Sequence, residues 1–186
     1  GEKLNGVQAL FLYPLNALIQ SQGDRFERFC KTFNEKYSEN AVHYANYTGK
    51  MKDSYSEAIA ELQRVNSTLS KAELEEKFPK DGVEYIDRET LRSSVPQFLI
   101  TNSAMLEYAL IRKADNPLFE KSDLKFVVLD EAHSYTGSNA TELAMRLRRV
   151  LLAFGKKPSE VQFIMTSATV GNEDDVRKFL ADLTDV

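Results

Sequence analysis

Lys125 to Gly137 reads KFVVLDEAHSYTG, and the fold follows from how that stretch divides. Phe126-Val127-Val128-Leu129 is a short apolar run with β-branched residues at its centre. A run of that length and kind predicts a strand buried on both faces, as in parallel sheets. Asp130 and Glu131 follow at once, and His133 comes two residues later. Open α/β sheets bind ligands beyond the carboxyl ends of their strands, so the paired carboxylates stand where a ligand is expected. The chemistry they suit is metal-assisted phosphoryl transfer. One carboxylate holds Mg2+, directly or through water, and its neighbour polarises the attacking water. An acidic turn after a core strand would look the same locally. A second apolar run, Gln162 to Thr166, leads into Ser167-Ala168-Thr169 and puts hydroxyls at another strand end. The two stretches together are far more specific than either alone.

As a pair, Asp130-Glu131-Ala132-His133 and Ser167-Ala168-Thr169 resemble motifs II and III of the superfamily-two DExH/DEAD-box helicases, in the first of their RecA-like domains. Tyr135-Thr136-Gly137 and the Arg-rich helix after it look most like the DNA repair helicases of the Mrf/Hrq type. The resemblance implies ATP and Mg2+ as cofactors. Asp130 would be the Mg2+-associated carboxylate, through water, and Glu131 the residue that activates water. His133 would link the nucleotide site to motif III and to the second RecA-like domain. Ser167 and Thr169 would hydrogen-bond towards these residues beside the nucleotide and help couple hydrolysis to domain movement. Capping of the strand end is the plainer use of the same hydroxyls. A zinc site is disfavoured, because the spacing is not that of the two-His helical motif and His43 is the only other histidine.

A length of 186 residues suits one domain with a real core. The composition, 42% hydrophobic and 28% charged, is that of an ordinary soluble protein. No apolar run reaches membrane-spanning length, and the amino terminus lacks the basic-then-apolar pattern of a signal peptide, so no membrane partner is expected. Cys30 is the single cysteine, which rules out an intrachain disulfide and suits a cytoplasmic protein. The net charge of −4 provides no global basic footprint, so any nucleic-acid contact must be local.

Along the chain, strand and helix alternate. Gln8 to Tyr13 predicts a strand ended by Pro14, followed by a helix through Leu15, Leu18, Ile19 and Gln22. Its second half carries Phe26, Phe29, Cys30, Phe33 and Tyr37 at three- and four-residue spacing, a core-facing stripe rather than a base-stacking platform. Ala41 to Tyr47 predicts a second strand, with a turn at Thr48-Gly49. Residues 51–90 turn charged and helical, with one helix through Tyr55, Ile59 and Leu62. Another opens on a capping box at Ser70 and Glu73 and stops near Pro79. Against compact helicase domains, this segment looks like an insertion. Gln97 to Thr101 predicts a strand, and Asn102 caps a helix carrying Met105, Leu106, Ala109 and Leu110. Thr141 to Phe154 predicts an amphipathic helix, with Arg146, Arg148 and Arg149 along it, and Asn172 caps a closing helix. The expectation is an α/β domain over residues 1–186, a RecA-like parallel sheet with helices on both faces.

Three further segments match where the family places nucleic-acid contacts. Pro14-Leu15-Asn16-Ala17-Leu18, with Gln22, resembles motif Ia, although Leu15 and Asn16 stand where the family has a threonine and a basic residue. Thr48-Gly49 resembles motif Ib, and Thr101-Asn102 the Thr-rich segment at the next strand end. Small hydroxyl and amide donors at helix N-termini suit phosphate oxygens and read no sequence. Each segment alone would pass for an ordinary cap or turn.

A P-loop is absent. Gly49-Lys50 is followed by Met51, and position 44 is Tyr44; Gly155-Lys156 is followed by Lys157, and position 150 is Val150. In the family's order the P-loop strand lies beyond the motif III strand, so the strands present here are expected to remain neighbours in a reduced sheet. The chain reads as part of the motor domain of an ATP-dependent DNA helicase or translocase that moves on single-stranded DNA, with RNA left open, and inactive alone. Two other readings stay open: a translocase subunit of a restriction, defence or remodelling complex, and a non-catalytic RecA-like binding module.

Overall fold

A computed structural model of the chain describes residues 4–132 and 138–166, together with position 181. Ala9–Leu12 (β1), Tyr44–Tyr47 (β2), Phe98–Thr101 (β3), Phe126–Leu129 (β4) and Gln162–Met165 (β5) form one sheet. The order is β2-β3-β1-β4-β5, and every neighbouring pair is parallel. Leu12 stands opposite both Thr101 and Leu129, Thr101 opposite Tyr47, and Leu129 opposite Met165, so the carboxyl ends finish in one row. The strands remain neighbours without a gap, as the sequence led us to expect.

The connections between parallel strands are right-handed as a rule, and that rule sorts the helices onto the two faces. From β1 the chain crosses by Asn16–Lys36 (α1) to the far edge at β2, and every later step runs the other way. The face opposite α1 therefore collects the later helices, Arg88–Ser93 (α4), Ser103–Ile111 (α5), Asn116–Glu120 (α6) and Ser138–Ala153 (α7). Leu10, Leu12, Ala45, Leu99, Val127 and Leu129 point to that side and pack against Leu106, Leu118, Leu147 and Val150. Each fully buried aliphatic side chain there contributes about 1.5–3 kcal/mol of transfer free energy. A smaller core of Ile19, Cys30, Tyr44 and Ile100, with Phe11, Phe26, Phe33 and Phe98 against it, lies under α1.

Two expectations fail on this geometry. β4 is not buried on both faces: Phe126 is 39% exposed, as is Ile164 of β5, which stands opposite Val128. Among the described residues α1 is the helix on that face, and it covers the β2-β3-β1 side. The aromatic stripe of α1 is also narrower than its spacing suggests. Phe29 and Tyr37 are about half exposed, because the face set by Ile19, Phe26, Cys30 and Phe33 leaves them off the core. Phe29 instead stacks on Phe33 at 6.0 Å between ring centroids. Cys30 is fully buried, and burial pushes its thiol up to about 12, which makes it a packing group.

The charged segment after β2 forms Tyr55–Val65 (α2) and Lys71–Lys77 (α3), each opened by a capping box, Ser54 with Glu57 and Ser70 with Glu73. Tyr55 OH donates to Phe78 O at 2.7 Å and ties the two together. The chain then returns to the edge of β2, where the Tyr44 amide donates to Val83 O and the Tyr85 amide to Tyr44 O, both at 2.9 Å. The outer edge of β2 is thereby paired at its first residue, which blunts it as a template for stray pairing.

Candidate functional site

The row of strand ends has an acidic half and an amide-rich half. At the β4–β5 end, the Asp130 amide donates to Leu12 O and the Thr166 amide to Leu129 O, both at 3.0 Å, so both strands remain hydrogen-bonded to their last residues. The chain then turns sharply. Glu131 takes a left-handed conformation at φ 52°, and the next amide, Ala132, donates back to Thr166 O at 2.8 Å. A non-glycine residue seldom adopts that φ, and such outliers gather at functional turns. The Thr166 hydroxyl donates to Asp130 Oδ1, which fixes the carboxylate over the end of β5. Tyr13, buried after β1, is close enough to feel the Asp130 charge: burial first, and Asp130 second, push its hydroxyl pKa up, while Arg25 opposes them. His133, Ser167 and Thr169 lie outside the described residues, as does the helix expected after Asn172.

The β1-β3-β2 half gathers the other predicted residues. Asn102 caps α5, its Oδ1 accepting from the Met105 amide at 2.8 Å, and its Nδ2 donates to Asn16 Oδ1 at 2.7 Å. Asn16 and Asn102, distant in sequence, thus stand side by side. Thr101 is fully buried, and its hydroxyl donates to Tyr47 O at 2.7 Å, so it serves the sheet rather than the surface. Thr48 is nearly buried, with its Oγ1 accepting from the Lys50 amide at 3.3 Å. Gly49 is exposed, and a Cβ there would meet Met105 Sδ at 3.8 Å, which joins this turn to the start of α5. Pro14 is half-buried next to Tyr13. Gln22 is less central: it faces Arg25 on its own helix, at 3.4 Å.

Sequence reasoning missed several supports. Tyr13 and Thr166 flank Asp130 but carry no motif signal of their own beyond their place at strand ends. Asp115, in the 3-10 turn Lys113–Asp115, is fully buried, and accepts from Tyr47 OH at 2.5 Å and Arg92 Nε at 2.7 Å. That network anchors the residue just before Thr48. Glu107 on α5 holds Arg146 of α7 at 3.0 Å and pairs with Arg149 as well, which ties the amide-rich half to the helix that follows the acidic turn. Hydrogen bonding to these two arginines holds the Glu107 carboxyl below its usual range. Among the described residues no three His, Cys, Asp or Glu side chains form a metal-binding group, and no helix is long and apolar enough to cross a membrane.

Comparison with known proteins sets this site in context. The profile of the DEAD/DEAH box helicases matches residues 56–176, more than half of the chain. The Druantia protein DruE of Escherichia coli is 36% identical over 115 residues, 57% of this chain and 6% of that protein. The ATP-dependent helicase MJ1574 of Methanocaldococcus jannaschii is 26% identical over 171 residues, 92% of this chain and 20% of that protein. The chain therefore spans a small part of the relatives it matches. The DUF1998 helicase MrfA, solved bound to DNA and AMPPNP, shares the fold with a TM-score of 0.53 and 24% identity, over 96% of this chain and 19% of that one.

Proposed function

The chain belongs to the DEAD/DEAH box helicase family, and from that premise we propose that it forms part of the motor domain of an ATP-dependent helicase or translocase acting on single-stranded DNA. The observation that carries the reading is the division of one row of strand ends into a carboxylate-bearing half at β4–β5 and an amide-bearing half at β1-β3-β2, which meet where β1 pairs with β4. Hydrolysis at β4–β5 and a nucleic-acid track over β1, β3 and β2 would then share a sheet edge, so movement at one is felt at the other. MrfA bound to DNA and AMPPNP supports the pairing of nucleotide and DNA on this fold.

In this reading Asp130 holds Mg2+ through water and Glu131 activates the water that attacks ATP. Mg2+ keeps most of its waters and needs one or two carboxylates beside the phosphates, so one oriented Asp130 fits it and a denser ligand cluster is unnecessary. Bound with ATP, Mg2+ neutralises charge on the phosphates. Thr166 holds Asp130 in place, and Glu131 needs hydrogen-bond reach to the water rather than metal contact. His133, Ser167 and Thr169 are assigned by resemblance to the link with the second RecA-like domain of the parent chain. By the resemblance, the phosphate cradle of a Walker A sequence would stand on a strand beyond the outer edge of β5. Residues 1–186 are then a partial first RecA-like domain, with about 51–90 as a helical insertion. Pro14, Asn16, Gln22, Thr48, Gly49, Thr101 and Asn102 line or support the nucleic-acid track.

The test is ATP hydrolysis by the full-length parent, with and without single-stranded DNA, beside its Glu131→Gln variant. Gln keeps size and hydrogen bonding but removes the base, so turnover should fall on the order of a hundredfold or more while nucleotide binding survives. Single-stranded RNA in place of DNA decides the substrate. Hydrolysis that does not depend on Glu131 would sink the reading.

A further inference from the structure

Beside Thr48-Gly49, three separate segments bring cations together that no helicase motif accounts for. Asp53 Oδ1 accepts from Arg88 Nη1 at 3.3 Å and from Arg112 Nη2 at 3.4 Å. Arg88 comes from the return segment at the start of α4, Arg112 from the end of α5, and Lys50 from the turn itself. Arg88 Nη2 also reaches Thr48 O at 3.5 Å, and its guanidinium lies 5.9 Å from the centre of the Tyr47 ring. Arg112 lies 6.0 Å over the ring of Tyr108, which is half exposed. Lys50 is exposed and has no ion pair among the described residues.

Asp53 is shared between two arginines through one oxygen, at distances longer than a bidentate pair would give. Lys52, Arg64, Glu57 and Glu61 line the same hollow as Lys50, Asp53 and Arg88, so with Arg112 the local balance is five cations against three carboxylates, on a chain whose net charge is −4. Arg88 is pinned: its side chain is only 12% exposed, and its Nε is buried with no hydrogen-bond partner. A guanidinium offers five donors in a fixed fork, so several remain for an incoming anion. An ionic latch that merely closed the turn would need one arginine.

We propose that Arg88, Arg112 and Lys50 form a phosphate-binding cluster that extends the nucleic-acid track past Gly49, with Arg88 as the pinned member and Arg112 and Lys50 as its exposed arms. The inference rests on the nucleic-acid reading of this sheet edge and names the residues that would carry its charge. The ligand is the sugar–phosphate backbone of a single strand, contacted without regard to base sequence. Tyr108, beside Arg112, is placed to take a base against its ring.

The experiment uses the full-length parent and a labelled oligo-dT strand, with affinity measured across a range of NaCl concentrations. Arg112→Gln, Lys50→Gln and the double variant are compared with Lys31→Gln, which removes an exposed cation from the far side of α1. For single strands the slope of log affinity against log salt changes by about 0.7 for each phosphate no longer neutralised, equivalent to roughly fivefold in affinity at about 0.1 M salt. Each single variant should show that change, the double variant about twice the slope change, and Lys31→Gln none. Mixed-sequence DNA should give the same reductions. Slopes unchanged in all three cluster variants while the wild type binds normally would overturn the cluster and leave the track standing. A wild-type parent that binds no strand would overturn both.

Discussion

Asn102 Nδ2 donates to Asn16 Oδ1 at 2.7 Å, while Asn102 Oδ1 is held by the Met105 amide at 2.8 Å. Both ends of the Asn102 amide are thus committed, and that fixes the orientation of Asn16. Its carbonyl oxygen faces Asn102, so its Nδ2 is the group turned outward. The family's motif has a basic residue at this place; here a neutral donor is oriented by a partner from the next strand end.

The variants at these two positions should therefore separate. Asn16→Asp keeps an acceptor for Asn102 but turns the outward donor into a charge that repels phosphate, and strand affinity should drop by about tenfold or more. Asn16→Ala removes one hydrogen bond and should cost roughly fivefold, near 1 kcal/mol. Neither should move the melting temperature much, because Asn16 is exposed. Asn102→Ala removes a helix cap as well and should cost about 1 kcal/mol of stability. Fluorescence anisotropy and thermal melts on the same preparations check both expectations.

Glu131 offers a conflict between stability and activity. Its φ of 52° costs a non-glycine residue on the order of 1 kcal/mol, which glycine would not incur. Glu131→Gly should melt higher than the wild type yet lose about a hundredfold or more in turnover, whereas Glu131→Gln should lose as much at an unchanged melting temperature. If Glu131→Gly melts lower, the left-handed turn is not under backbone strain.

Features set by local sequence were legible. The capping box of Ser70 and Glu73, the cap at Asn102 and the five strands each depend on a few adjacent residues. The capping box of Ser54 and Glu57 is just as local. Helices α4 and α6 escaped because at six and five residues they are too short to show a period. The exposure of Phe126 was hidden for another reason: it depends on which strands α1 covers, and so on the hand of a crossover. Long-range meetings such as Asn16 with Asn102 or Arg112 with Asp53 leave no trace in either segment alone. For the site, the strand ends were readable, and the groups that hold them in place were not.

Asp115 tests how much of the amide-rich half hangs on a buried charge. It is fully buried between Tyr47 OH and Arg92 Nε, with Arg92 itself 18% exposed. Removing one partner of such a pair strands the other, so Asp115→Ala should cost about 3 kcal/mol in urea unfolding. Tyr47→Phe, which deletes one donor and leaves the ion pair, should cost about 1 kcal/mol. Equal costs from both would mean that Asp115 is held by the tyrosine and not by Arg92.

Glu84 supplies a pH dependence with a definite sign. It accepts from Tyr44 OH and Asn46 Nδ2, both at 3.0 Å. Burial nevertheless raises its pKa above the ordinary carboxyl value, with Glu27 and Asp24 adding to the rise and the two hydrogen bonds opposing it. A folded-state pKa above the unfolded one means that the folded protein binds this proton more tightly. The stability it contributes is full below the ordinary value of 4.5 and is lost as pH climbs through the raised pKa. Glu84→Gln fixes the neutral form, so it should be more stable than the wild type at neutral pH, with the gap closing as pH falls to about 4.5. Asp53, Glu107 and Asp123 have lowered pKa values and lose stability on acidification, but they do so equally in both proteins. The difference between the two urea midpoints, followed against pH, therefore isolates Glu84. A variant less stable than the wild type at neutral pH would show that the hydrogen bonds from Tyr44 and Asn46 outweigh the burial of the charge.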